Sequence, residues 1–195
     1  MRRNAGGFTL VELLVVMVLV TIISGGIYVF FKTNLFTYLN LQKDASGFTG
    51  LASQSQRIGN VVRGTTDIVS VADDDLVLYG YFYPTDTYVS LIHYYRNATD
   101  TVLYADVTPM TSNPPIGTPI TANKKTFTVI PNFKPVAGVT LFQYLDSAGA
   151  VLVLPITDLH TIKGITINLA VPTATGGGNQ SMTLQVSLRN RKTNL

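Results

Sequence analysis

Apolar and polar positions divide the chain into stretches of different rhythm. Over residues 8–31 almost every position is apolar, and only Thr9, Glu12, Thr21 and Ser24 carry polar side-chain groups. At about 1.5 Å of rise per residue, this run makes a helix long enough to cross a hydrocarbon layer of about 30 Å. Over residues 32–64 the rhythm is that of an amphipathic helix. Leu41, Ala45, Phe48, Ala52, Ser55, Ile58 and Val62 recur at spacings of three and four, and Lys43, Asp44, Ser53, Gln56, Arg57 and Asn60 fall mostly opposite them. Glycines at 25, 26, 47 and 50 interrupt the pattern, either as points of bending or as points of close packing.

Beyond Gly64 the period changes to two. Ile165, Ile167, Leu169 and Val171 alternate with Thr166, Asn168 and Ala170, and Met182, Leu184, Val186 and Leu188 alternate with polar residues. These are half-buried strands, one face on a core and one in water. Segments 76–83, 88–96, 101–106, 126–130 and 139–145 read as further strands, separated by turn residues at 73–75, 84–87, 97–100 and 146–149. Residues 109–119, rich in proline, read as a surface loop, and 173–180 as a flexible connection. The expected fold is α+β: one long N-terminal helix, with a membrane half and an amphipathic half, packed against a mostly antiparallel sheet.

Composition narrows the chemistry. The 195 residues are 46% apolar and 13% charged, enough for one modest domain beside the long helix. The absence of cysteine excludes disulfides, thiolate metal sites and a cysteine nucleophile. A net charge of +3 that includes Arg2 and Arg3 is little basis for a nucleic-acid partner, and the C-terminal Arg189, Arg191 and Lys192 read as a solvated tail. His93 and His160 stand in no zinc-binding or triad spacing, and no Gly-x-Ser-x-Gly elbow occurs. Neither an enzyme nor a cofactor is expected. Asp73, Asp74 and Asp75 supply carboxylates of the kind calcium takes, but their consecutive spacing matches no calcium loop and suits a solvated turn. Tyr79, Tyr81, Tyr83, Tyr88, Tyr94 and Tyr95 form a dense group that could be an adhesive or DNA-stacking face. Only Arg96 is interleaved with them, which favours ordinary strand aromatics. Asn97-Ala98-Thr99 matches a glycosylation sequon, and the glycine run 176–178 lacks the Lys-Ser/Thr of a phosphate loop.

Arg2 and Arg3 precede the apolar run, which sets the N-terminus in the cytoplasm and the rest outside. The run is too long for a secretory signal core, and its small residues Gly6 and Gly7 come before it instead of after. Glu12 is the informative position, because a carboxylate in a membrane segment is costly and calls for a partner.

The string Gly6-Gly7-Phe8-Thr9-Leu10-Val11-Glu12 resembles the processing site of type IV prepilins and type II secretion pseudopilins. That pattern is a short basic leader ending in Gly, followed by Phe-Thr-Leu-Ile/Val-Glu, and every position of it is matched. The resemblance implies a leader of residues 1–7, cut after Gly7 by a prepilin peptidase, and N-methylation of Phe8. It implies a transmembrane helix over 8–31, an amphipathic half over 32–64 and a β-rich pilin domain over 65–195. Phe8 and Glu12 are four apart and share a helix face. The resemblance implies that Glu12 pairs with the Phe8 amine of a neighbouring subunit during assembly.

Looser cues in the domain, the strand end at 142–146 and the closing run at 186–191, are similar to W-type minor pilins and J-type minor pseudopilins. The C-terminal disulfide loop frequent in the family is absent. The expected partners are other pilin subunits, the prepilin peptidase, an assembly platform and membrane lipid, with DNA a weaker candidate. The expected location is the cytoplasmic membrane before assembly and an extracellular or periplasmic filament afterwards. Alternatives are a type II secretion pseudopilin, or a membrane-anchored module that binds DNA or a surface ligand.

Overall fold

The computed structural model describes residues 9–97 and 101–189. The chain falls into two compact units, Met1–Asp44 and Ala45–Leu195. Helix α1, Leu10–Arg63, is the only α-helix among the described residues.

In the first unit nearly all the helical residues are exposed, and most are large and apolar. By length and composition this helix can cross a membrane. Three of its polar side chains are folded onto its own backbone. Thr21 Oγ1 donates to the Met17 carbonyl at 2.8 Å, Asn34 Nδ2 to Phe30 at 2.8 Å, and Thr37 Oγ1 to Thr33 at 2.9 Å. Such bonds satisfy groups that would be expensive to leave unpaired in hydrocarbon.

The second unit holds the C-terminal turns of α1 and two antiparallel sheets. Strands β1 (Asp67–Val71), β2 (Asp75–Gly80), β3 (Ser90–Arg96), β4 (Val102–Pro109) and β5 (Lys125–Pro131) form a five-stranded meander in chain order. Strands β6 (Phe142–Leu145), β7 (Gly164–Pro172) and β8 (Asn179–Ser187) form a three-stranded sheet. The core joins Leu51, Ile58, Val61 and Val62 of the helix to Leu76, Leu78, Ile92, Tyr94 and Leu103 of the larger sheet, and to Phe142, Tyr144, Ile165 and Ile167 of the smaller. Gly59 marks a close approach of helix to sheet, since a Cβ there would lie 2.4 Å from Leu184 Cδ2. Tyr144 ties the sheets together, its hydroxyl donating to the carbonyls of Ala72 at 2.7 Å and Asp75 at 3.1 Å.

The α+β class holds, with differences of detail. The strands form two sheets, where the alternation alone predicts one. The ladder breaks after Pro131, where Asn132 takes φ 56° and Gly138 φ 75°, conformations that end a strand. Strand β1 escapes the period-two reading because a bulge between Ile68 and Ser70 breaks its alternation. The 173–178 segment is a closed turn: Thr173 N donates to the Gly178 carbonyl at 3.0 Å, and Gly178 N to Thr173 Oγ1 at 3.2 Å. The buried helix stripe is Leu51, Ser55, Ile58, Gly59, Val61 and Val62. Ser55, Ile58 and Val62 lie on the predicted face, whereas Leu41 and Phe48 are exposed.

Candidate functional site

The start of α1 is a built local structure. Thr9 is its N-cap and Glu12 stands three positions later, the spacing of a capping box. Glu12 N donates to Thr9 Oγ1 at 3.3 Å, and in return Thr9 N and Thr9 Oγ1 donate to Glu12 Oε2 at 3.0 and 3.1 Å. Leu13 N closes the first turn on the Thr9 carbonyl at 3.1 Å. One carboxylate thus satisfies an amide that a helix start leaves without an intrahelical partner, and its charge sits at the positive end of the helix dipole.

Both bonds fall on Oε2. No partner is found for Oε1 among the described residues. A carboxylate accepts about four hydrogen bonds, so Oε1 can take a cationic donor without surrendering the cap. The flanking Leu10 and Val11 are exposed and apolar, so a donor arriving here meets little competing water once lipid or another helix covers them. Gly7 and Phe8, the other predicted site residues, lie outside the described residues.

The remaining candidates separate in the fold. Asp73 and Asp74 occupy the β1–β2 turn and Asp75 opens β2, but two of the three are engaged with cationic or protonatable side chains. Asp74 pairs with Arg96, and Asp75 Oδ2 is 2.5 Å from His93 Nε2. Among the described residues no cluster of three or more histidine or acidic side chains is placed to hold a metal. His160 lies in a short 3-10 turn, its backbone N–H held by Asp158 Oδ1 at 2.9 Å. Asn97 is described, whereas Ala98 and Thr99 of the sequon are not.

Tyr79 is half-buried on β2, and the other five tyrosines divide three ways. Tyr94 is in the core, and burial pushes its hydroxyl pKa well up. Tyr95 lies on the outer sheet face, its ring 4.6 Å from His93 and 5.6 Å from Tyr104. Tyr81, Tyr83 and Tyr88 are 40, 42 and 44% exposed, on and beside the 81–89 connection.

Beside Tyr95 lies Asp106, a carboxylate of the interior strand β4 with a side chain only 7% exposed. Lys124 Nζ reaches it at 2.6 Å and Thr126 Oγ1 at 2.6 Å. Burial alone would raise its pKa, but these hydrogen bonds and the lysine charge hold it below the ordinary aspartate value.

Thr9 and Asp106 are the residues that motif reading passed over. The Thr-x-x-Glu spacing signals the first. Nothing in the sequence signals the second, because its donors come from β5 and the residue just before it.

Residues 2–28 match the family described as Prokaryotic N-terminal methylation motif. No curated protein matches the chain.

Proposed function

From the match of residues 2–28 to the N-terminal methylation motif, we propose that the chain is of the type IV pilin and pseudopilin kind and serves as a minor filament subunit. Prepilin peptidase cuts it after Gly7, and Phe8 becomes the methylated N-terminus. The subunit waits in the cytoplasmic membrane by its apolar helix, then enters a helical filament whose start or tip it helps to build.

The observation that carries this reading is the division of labour at Glu12. Oε2 caps its own helix through Thr9, and Oε1 is left to accept a cation. Cleavage at Gly7 creates such a cation at Phe8. In a low-dielectric layer the amine of an incoming subunit and this carboxylate attract strongly, and each is costly if left alone. The pairing fixes the axial register of one helix against the next. The lack of cysteine, and hence of the family's frequent disulfide loop, supports a minor over a major subunit.

The test compares Glu12→Gln with the unaltered chain in a strain that makes filaments. The substitution retains an amide oxygen for the cap but removes the charge. The reading predicts normal cleavage and membrane level, with incorporation into sheared filaments reduced at least about tenfold, the equivalent of ~1.4 kcal/mol. Incorporation equal to that of the unaltered chain overturns the proposed role of Glu12. Quantifying the chain against the most abundant subunit in the same filaments tests its minor status.

A further inference from the structure

The objection to a ligand face on the tyrosine group is the shortage of cations in the sequence around it. The fold supplies them from elsewhere in the second unit. An open groove of about 650 Å³ is lined by Tyr83, Tyr88, Met110, Lys125 and Phe127. A second groove, of about 560 Å³, is lined by Arg57, Asn60, Tyr81, Phe82 and Tyr83. Tyr83 belongs to both, so the two grooves adjoin along one aromatic wall.

Arg57 comes from α1, and its guanidinium lies 4.4 Å from the Phe82 ring centroid and 5.6 Å from that of Tyr83. Lys125 opens β5. Neither has a carboxylate partner among the described residues. Lys124 is different, since its ammonium is held by Asp106. Asp86 also lines the first groove and keeps its negative charge there, one oxygen accepting the Tyr83 backbone N–H at 3.0 Å.

We propose that this double groove binds single-stranded nucleic acid, its bases stacking on Tyr81, Tyr83 and Tyr88 and its phosphates meeting Arg57 and Lys125. The chemistry is that of sequence-tolerant strand binding: ring faces that suit any base, beside cations that follow the backbone. Unpaired cations flanking half-exposed rings are complementary to a flexible polyanion with flat apolar faces. The open form of both grooves suits a passing polymer rather than an enclosed small molecule. The inference stands apart from the role of Glu12 and does not rest on it.

The experiment uses the full processed chain in phosphatidylcholine nanodiscs. A fluorescein-labelled oligothymidine of about 30 nucleotides, longer than a typical single-strand site, is titrated by anisotropy. A duplex of equal length and heparin serve as competitors. Binding is expected, weakened about tenfold by Tyr88→Ala and by Tyr83→Ala and retained by Tyr83→Phe. Lys125→Glu should weaken it and flatten its salt dependence, whereas Lys134→Glu, outside both grooves, should leave it unchanged. Tyr88 has no ring partner among the described residues, so its variant keeps the test valid if Tyr83→Ala destabilises the domain. Failure of oligothymidine to bind at low salt overturns the proposal. So does binding indifferent to both tyrosines, which marks a general polyanion surface, and so does stronger competition by the duplex or heparin than by unlabelled oligothymidine.

Discussion

At the scale of single residues, the chain's acidic groups do different work according to where their donors come from. Glu12 and Thr9 are three apart, so their mutual capping could be read from sequence spacing alone. Thr9→Ala removes the hydroxyl that serves as both donor and acceptor there. The helix start should weaken by about 1 kcal/mol, seen as faster amide exchange over residues 10–13 in nanodiscs. Asp106 could not be read that way, because Lys124 and Thr126 reach it only after β4 and β5 pair. Its folded-state pKa is lowered, so its stabilisation is complete above the ordinary aspartate value of about 3.9 and is lost as pH falls through the lower folded value. Lys124 is raised by the Asp106 hydrogen bond, so its share persists below its ordinary value of about 10.4 and fades only at higher pH. Asp106→Asn should cost about 1–3 kcal/mol at neutral pH by chemical denaturation, discounted because the lysine is half exposed. The difference from the unaltered protein should narrow below about pH 4.

Gly117 is a sharper steric case. A Cβ there would stand 1.8 Å from the Ser112 carbonyl oxygen, a backbone atom that cannot swing away. The same loop turns Asn113 so that its side-chain oxygen accepts the Val89 N–H at 3.0 Å. Gly117→Ala should therefore lower the melting temperature by several degrees, from about 1–3 kcal/mol of strain in a domain of this size. The proline-rich composition identifies this stretch as a loop, but it does not show which glycine the loop requires.

At the scale of elements, periodicity found the helix and the later strands because both patterns repeat over many residues. It misplaced part of the helix stripe. Leu41 and Phe48 fit the spacing, yet the core takes Leu51, Gly59 and Val61. Spacings of three and four define a face only to within about one position, and here β8 selects the face that carries Gly59. The apolar side chains left over are the ones that need another partner. Gly25, Gly26 and Gly50 add to this, since a Cβ on any of them meets nothing within 4 Å in the subunit. Replacing Gly25 and Gly26 with alanine should favour the isolated helix by about 1 kcal/mol each. If these glycines serve contacts or bending between subunits, the double variant should enter filaments less well despite its firmer helix, as counted by immunoblot of sheared material.

At the scale of the whole molecule, the parts legible in sequence were those whose information is local: the apolar run, part of the amphipathic stripe and the alternating strands. The two-sheet arrangement, the Tyr144 tie and the tyrosine grooves depend on partners far apart in the chain. Phe48, exposed in the second unit, offers a test of assembly that is separate from stability. Phe48→Ser should leave the melting temperature within about 2 °C, as surface changes usually do. It should reduce filament incorporation if this ring is buried by a neighbouring subunit.

The central claim is that the functional chain begins at a processed Phe8, one helical turn before Glu12. Intact-mass and N-terminal peptide spectrometry of the protein from its native membrane measures this directly. The account predicts a chain lacking residues 1–7, with one methyl group on the Phe8 nitrogen. A native chain that still begins at Met1 would contradict it.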